Sequence, residues 1–243
     1  MKKVFRKVAL IMAAALSMSF SACMRTLDIN NAQEISNLLN QKYGIEFVVK
    51  SIGNRLASDK ADTVTAYCYP KNNETVIFEA VMNLKRELVF DDYPVRLLEV
   101  EAKNIIEKKF AEKDITATVD VSIARISSSE KLIGAKLNDV IAENPNISLT
   151  FTTILCDGAN ARTTYDTVVT LLKEFYNGNP KMLLGTTVWK YSDNSYADCR
   201  DEINSIPHIS NTVLEQYSPI SKVNIAIVNG TLNTEYTDFE TKF

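Results

Sequence analysis

Residues 115–123, ITATVDVSI, alternate apolar and polar side chains over their whole length. Such alternation predicts a β-strand with one buried and one solvated face, which is common in antiparallel sheets. Its solvated face would carry, in order, Thr116, Thr118, Asp120 and Ser122. The residues before it predict a helix that begins at Asp91-Asp92-Tyr93-Pro94 and runs to about Phe110, because proline is favoured in the first turn and carboxylates favour the positive end of the helix dipole.

The flanking sequence repeats this mixture of helical and strand patterns. Apolar residues at helical spacing predict helices over residues 32–43, 135–143 and 160–176. Strand patterns cover residues 45–52, 63–69, 75–82, 147–155, 182–191, 223–228 and 231–237. Asn229-Gly230 is a strong hairpin signal, and the turn residues 70–73 predict another hairpin. The sequence therefore predicts an α+β fold of mostly antiparallel sheets with packed helices.

A Ser-rich stretch, residues 127–131, separates two runs of periodic sequence. It predicts a boundary between an α+β N-terminal subdomain, residues 31–126, and an α+β C-terminal subdomain, residues 132–243. A single sheet that extends across this boundary is the open alternative.

The N-terminus has the three parts of an export signal. Its positive charges are Lys2, Lys3, Arg6 and Lys7. An apolar run over residues 8–18 follows, and it is too short for a transmembrane helix, which needs about 20 residues. Small residues then lead into Cys23. Residues 1–22 are therefore predicted to be a signal peptide.

Ser21-Ala22-Cys23 resembles the lipobox of bacterial lipoproteins, although Phe20 stands where an aliphatic residue is usual. The resemblance implies a diacylglyceryl group on Cys23, a short tether over residues 23–30, and location on the extracytoplasmic face of the cell membrane, with membrane lipid as a partner. Two acyl chains suffice for stable anchoring. A plain secretory signal cleaved after Ser21 and an uncleaved anchor are the alternatives.

A second resemblance covers about a third of the chain. Three short motifs, Tyr43-Gly44-Ile45-Glu46-Phe47, Tyr69-Pro70 and Asp91-Asp92-Tyr93, are similar to an N-terminal module of uncharacterised lipoproteins of Gram-positive bacteria. This resemblance implies no activity.

Charge argues against a nucleic-acid partner. The chain has 27 basic and 30 acidic residues, and four of the basic ones lie in the predicted signal peptide, residues 1–22. Without those four, 23 basic residues remain against 30 acidic ones, which gives a formal charge of −7. An acidic surface repels phosphate backbones.

Cysteines and aromatic residues supply two candidate features. Cys156 and Cys199 are placed at the ends of predicted elements in the second half, and they are the first choice for a disulfide outside the cytoplasm. Cys68 shares an apolar strand face and is expected to be buried. A ligand platform for a glycan or peptide is a further hypothesis, formed by Trp189, Tyr191 and Tyr196. These rings are equally compatible with the core or with a cover for the sheet.

Catalytic and metal-binding patterns are incomplete. His208 is the only histidine, and no G-x-S-x-G motif accompanies it, so it is interpreted as a surface or capping residue. Asp91 and Asp92 are attributed to helix capping, and the second acidic group to a solvated helical face: Asp198, Asp201 and Glu202. No catalytic residue, metal or cofactor is therefore assigned.

Taken together, these patterns favour a membrane-anchored, non-enzymatic binding or accessory module. Its partner would be an envelope protein, a small molecule or a glycan. The alternatives are a solute-binding lipoprotein with a cleft between its subdomains, and an envelope hydrolase.

Overall fold

The computed structural model describes residues 29–53, 63–126 and 132–243. The predicted signal peptide, the lipidation site Cys23 and the Ser-rich boundary at 127–131 lie outside these residues. Within the described part of the chain, no helix combines the length and apolar character needed to cross a bilayer.

The first half of the chain forms an antiparallel sheet covered by a helix. Helix α1 precedes four strands in the order β1-β2-β3-β4. The bounds are α1 Ile29–Tyr43, β1 Phe47–Gly53, β2 Thr63–Pro70, β3 Phe78–Asn83 and β4 Leu88–Asp91. The predicted β2–β3 hairpin is confirmed. Strand β4 was not predicted from the sequence because it is short and mostly exposed.

Helix α2, Tyr93–Ala111, lies between the first sheet and the second. Tyr93 packs into the core of the first sheet, and Leu98, Ala102, Ile106 and Phe110 pack into the core of the second. Asp92 is the N-cap residue of α2, as the sequence predicted, whereas the attribution of Asp91 to capping is wrong. Asp92 makes no side-chain cap bond to the helix and accepts the Glu79 backbone N–H at 2.7 Å, while Asp91 pairs with Lys42 at 2.8 Å.

The second sheet has five strands in the order β5-β6-β7-β8-β9. Their bounds are β5 Ala117–Ala124, β6 Ser148–Cys156, β7 Leu183–Tyr191, β8 Ser221–Val228 and β9 Thr231–Leu232. Strands β6 and β7 are parallel, and all other neighbours are antiparallel. The architecture is therefore the predicted α+β fold. The predicted boundary at residues 127–131 does not separate the two sheets. Strand β5 lies before it in the sequence, β6 lies after it, and the two strands pair in one sheet.

Helices cover the second sheet unequally. Their bounds are α3 Leu137–Glu143, α4 Ala161–Phe175, α5 Asp193–Ile203, α6 Asn211–Gln216 and α7 Tyr236–Glu240. Helices α2 and α4 pack on one face, which holds the main apolar core. Helices α5 and α6 pack on part of the other face. Strand β9 has two residues, so the prediction that it continues to residue 237 is wrong, and α7 forms there instead.

The free edge of β5 is covered by carboxylates of α2. Glu107 accepts the Val119 backbone N–H at 3.0 Å, and Glu99 accepts that of Ile123 at 2.8 Å. Eight helical residues span about 12 Å and four strand residues about 13 Å, so the two spacings match. An edge strand with satisfied N–H groups resists unwanted pairing. The same contacts place Glu99 beside the sheet face described next.

Candidate functional site

The face of the second sheet that packs against α5 and α6 is covered over only part of its area. In the covered half, apolar side chains pack beneath these helices, among them Ile154, Trp189 and Tyr191. In the open half, the same strands present a row of polar side chains in register: Asp120, Thr152, Thr187 and Asn224. The adjacent row is formed by Ser122, Thr150, Gly185 and Ala226.

The open half is the floor of a trough of about 450 Å³. Gly185 and Ala226 lie close together in the second row, since a Cβ on Gly185 would lie 2.9 Å from the Ala226 Cβ. The Thr187 hydroxyl donates to the Asn224 side-chain oxygen at 2.7 Å, and this bond does not involve the Asn224 amide N–H groups. Short hydroxyl and amide groups thus line the floor.

His208 and its neighbours form one wall of the trough. The chain between α5 and α6 carries His208 and Ile209, and the Ile209 backbone N–H donates to Asp120 at 3.2 Å. The His208 Nδ1 atom lies 3.7 Å from Asp120, and Nε2 lies 3.6 Å from Glu99. The His208 side chain is 41 % exposed, whereas both carboxylates are buried.

A buried arginine completes this charged cluster. The Arg96 guanidinium donates to Glu99 at 3.1 Å and lies 3.8 Å from Asp120. Buried charges need such pairing because desolvation of each ion is costly. The charged cluster, defined as Arg96, Glu99, Asp120 and His208, therefore joins α2, β5 and the α5–α6 connection.

The electrostatics of the cluster favour a protonated His208. Burial is the largest single effect on the His208 pKa and lowers it, but Asp120 and Glu99 together outweigh it and hold the pKa above its ordinary value. Burial raises the pKa of the Glu99 carboxyl, partly offset by His208, the Ile123 N–H and Arg96. The two carboxylates therefore stabilise the protonated form of His208 at the wall of the trough.

A second cavity of about 390 Å³ also contains His208, on the side toward β4. Lys42, Asp91 and Glu99 line it with His208. Among the described residues, no group of three or more histidine, cysteine or acidic side chains is arranged to hold a metal ion. The acidic group on α5 is a solvated face as predicted, with Asp198 and Asp201 exposed and Asp201 paired with Arg200.

The predicted aromatic platform is wrong. Trp189 and Tyr191 are fully buried and Tyr196 is 5 % exposed, all beneath or within the helical cover. The Tyr191 hydroxyl donates to the Leu214 carbonyl at 3.0 Å, and Tyr196 shares a hydrogen bond with Thr118 at 2.9 Å. These rings belong to the core, which was the alternative interpretation of the sequence.

The structure brings Cys156 and Cys199 into one apolar cluster but shows both as free thiols. Burial raises the pKa of Cys199 to about 11, and that of Cys68, which is buried as predicted, to about 12. Such thiols are poor nucleophiles near neutral pH. The disulfide between Cys156 and Cys199 stays a prediction, to be tested by alkylation of the non-reduced, denatured protein.

Sequence reasoning missed most of the site. It placed Asp120 and Ser122 on a wet strand face but assigned no role to Arg96, Glu99, Thr152, Thr187 or Asn224. One signal was available: Arg96 and Glu99 are charged residues on the buried face of α2, which is otherwise mostly apolar.

Comparison with known proteins gives a fold relationship. A crystal structure of a DUF5037 family protein from Ruminococcus gnavus is similar to this chain, with a TM-score of 0.62 and 15 % sequence identity. The match covers 86 % of this chain and 97 % of that one. At this identity the likeness shows the fold alone. No family model matches the chain, and no curated protein matches it.

Proposed function

We propose that this protein is a lipid-anchored, extracytoplasmic binding module that holds a small, neutral, polyhydroxylated ligand of the sugar class in the trough. The in-register row Asp120, Thr152, Thr187 and Asn224 on an uncovered sheet face carries this proposal. Hydroxyl and amide groups both donate and accept hydrogen bonds, as sugar hydroxyls do. The volume of about 450 Å³ lies in the usual range for small-molecule sites.

The charge of the trough favours a neutral ligand. Asp120 already accepts the Ile209 N–H and faces Arg96 and His208, so its charge is compensated within the protein. The remaining floor residues are uncharged. A strongly charged ligand would therefore meet no uncompensated opposite charge there.

The position of His208 favours binding over hydrolysis. Both of its ring nitrogens face carboxylate oxygens, at 3.6 and 3.7 Å. A general base must instead present an unprotonated nitrogen within hydrogen-bond reach of the proton that it removes. Burial lowers the pKa of His208, but Asp120 and Glu99 raise it above its ordinary value, so the protonated form is favoured relative to an ordinary histidine.

Calorimetric titration with a panel of neutral mono- and disaccharides tests the ligand class. At least one should bind the wild-type protein, and Thr187→Val should weaken the binding of that sugar about five- to thirtyfold, since one lost hydrogen bond to a buried partner costs about 1–2 kcal/mol. Thr170→Val is the matched control, because Thr170 is an exposed threonine on α4 outside the trough. Absence of any binding sugar, or equal loss in both variants, would contradict the proposal.

Detergent phase partitioning and the N-terminal peptide mass test the anchor separately. Expressed in a bacterium, the wild-type protein should enter the detergent phase with acyl mass on Cys23, and Cys23→Ala should remain in the aqueous phase. Release of an unlipidated wild-type chain that begins at Ala22 would instead indicate a diffusible secreted protein.

A further inference from the structure

The β3–β4 hairpin carries three exposed large apolar side chains. Leu84 is 73 % exposed, the highest value for any large hydrophobic side chain among the described residues. Val89 and Phe90 on β4 follow at 54 % and 50 %. Val89 and Phe90 also line the cavity that contains His208, so Leu84 is the exposed apolar residue at the turn of the hairpin itself.

Two ion pairs fix the direction of this hairpin relative to α1. Arg86, at the start of the return strand, lies 3.5 Å from Glu34 in the first half of α1. Asp91, at the end of β4, lies 2.8 Å from Lys42 near the end of α1. Helix α1 and strand β4 therefore run side by side in the same direction. The hairpin tip, residues 84–87, lies at the N-terminal end of α1.

The lipid anchor would arrive at the same end. Cys23 precedes Ile29, the first residue of α1, by six residues, a reach of at most about 20 Å. We propose that the hairpin tip contacts the lipid bilayer beside the anchor, with the Leu84 side chain inserted at the interface. This inference rests on the proposed acylation of Cys23.

The chemistry of the tip fits a bilayer surface. Leu84 is followed by two exposed cations, Lys85 and Arg86, and apolar side chains flanked by cations are typical of segments that bind at the membrane interface. Arg86 is partly neutralised by Glu34, and Glu87 accepts a hydrogen bond from Asn83 at 2.8 Å. The two cations Lys85 and Arg86 are thus balanced by Glu87 and Glu34, so the tip carries no net negative charge.

This orientation keeps the candidate site away from the lipid. Lys42 and Asp91, at the far end of the paired α1 and β4, line the cavity that contains His208. The trough shares His208 with that cavity. The site would therefore face the external medium, where a soluble ligand can reach it.

Depth-dependent fluorescence quenching tests the contact. The mature acylated protein is reconstituted on vesicles of phosphatidylglycerol and phosphatidylethanolamine, with and without brominated acyl chains. Leu84→Trp should lose most of its added fluorescence in brominated vesicles. Val228→Trp is the matched control, because Val228 is 51 % exposed but lies on the second sheet. The wild-type signal of the buried Trp189 is subtracted.

Each outcome of this experiment either supports or overturns the proposed contact with the bilayer. Quenching of Leu84→Trp but not of Val228→Trp supports the proposal. Bound protein with equal quenching in both variants, or with residue 84 open to aqueous acrylamide, overturns it. Protection of residue 84 from both quenchers also overturns it, and indicates a second copy of the chain on the tip. If the protein does not bind vesicles and carries no acyl mass on Cys23, the proposed anchor itself is wrong. The N-terminal peptide mass distinguishes this outcome from a failure of the tip contact alone.

Discussion

The covered and open halves of the second sheet use the same strands and the same face, yet they contain opposite chemistry. On β7, Tyr191 and Trp189 lie in the covered half, and the next residues on that face are Thr187 and Gly185. On β6, Ile154 gives way to Thr152 in the same manner. The change from large apolar to short polar side chains marks where the helical cover ends.

This contrast shows how one fold provides both stability and a candidate binding surface. The covered half excludes water, and it fastens α5 and α6 to the sheet. The connection between those helices then carries His208 to the rim of the open half. Packing at one end of the strands therefore positions polar groups at the other end.

The largest expected effect on the free energy of unfolding comes from Trp189→Ala, which is compared with Thr187→Ala two residues away on β7. Trp189→Ala should destabilise the protein by about 3–5 kcal/mol, because it leaves a large cavity in a fully buried site. Thr187→Ala should cost less than about 1 kcal/mol, since its partner Asn224 is exposed and can bond to water. Urea unfolding measures both. Similar losses for the two variants would show that the halves do not differ as described.

The charged cluster should be the next most sensitive feature. Arg96→Gln removes the buried guanidinium that pairs with Glu99 and Asp120 and should cost about 3 kcal/mol in the free energy of unfolding. Lys109→Gln removes a more exposed pair with Glu174 and should cost less than about 1 kcal/mol. If urea unfolding gives Arg96→Gln the stability of the control, the cluster contributes no more than a surface pair.

Filling the trough should have a smaller effect on stability. Gly185→Ala brings a methyl group to 2.9 Å from the Ala226 Cβ and should cost about 1–2 kcal/mol through overpacking. Gly158→Ala is the control, since its Cβ would meet nothing within 4 Å. Thermal unfolding compares them, and Ala226→Gly in the Gly185→Ala background should restore part of the loss, since the Ile225 carbonyl oxygen would still lie 3.2 Å from the added methyl group. No rescue would mean that Ala226 is not the obstacle.

The smallest effect is a pH dependence at His208. Its folded pKa lies above the unfolded value of about 6.5, so its stabilisation is complete below that pH and is lost as pH rises through the folded pKa. Asp92, Glu99, Asp120 and Arg96 are the charged groups that act on it.

Wild-type protein should therefore exceed His208→Gln in melting temperature more at pH 6 than at pH 8.5. The difference should correspond to under about 1 kcal/mol, because the side chain is 41 % exposed. A larger advantage at the higher pH would reverse the assigned sign.

The sequence predicted local features better than spatial relations. Alternation in residues 115–123 located β5 and its polar face, but the prediction that this face is solvated is wrong at Thr118 and Asp120, which are buried. Asn229-Gly230 located the β8–β9 turn, where both residues have positive φ. The polar row requires the registers of three strand pairs, one of them parallel, and no local pattern specifies those. The aromatic platform was wrong because strand periodicity assigns a residue to a face and does not say whether helices cover that face.

Backbone amide shifts on titration with the sugar that binds best provide the most direct test of the open half as a ligand site. Saturable shifts should centre on Thr150, Thr152, Thr187 and Asn224, with little change at Trp189 and Tyr191 on the same face. Saturable shifts centred in another part of the molecule, or none in the open half for any sugar of the panel, would contradict the assignment of the trough as the binding site.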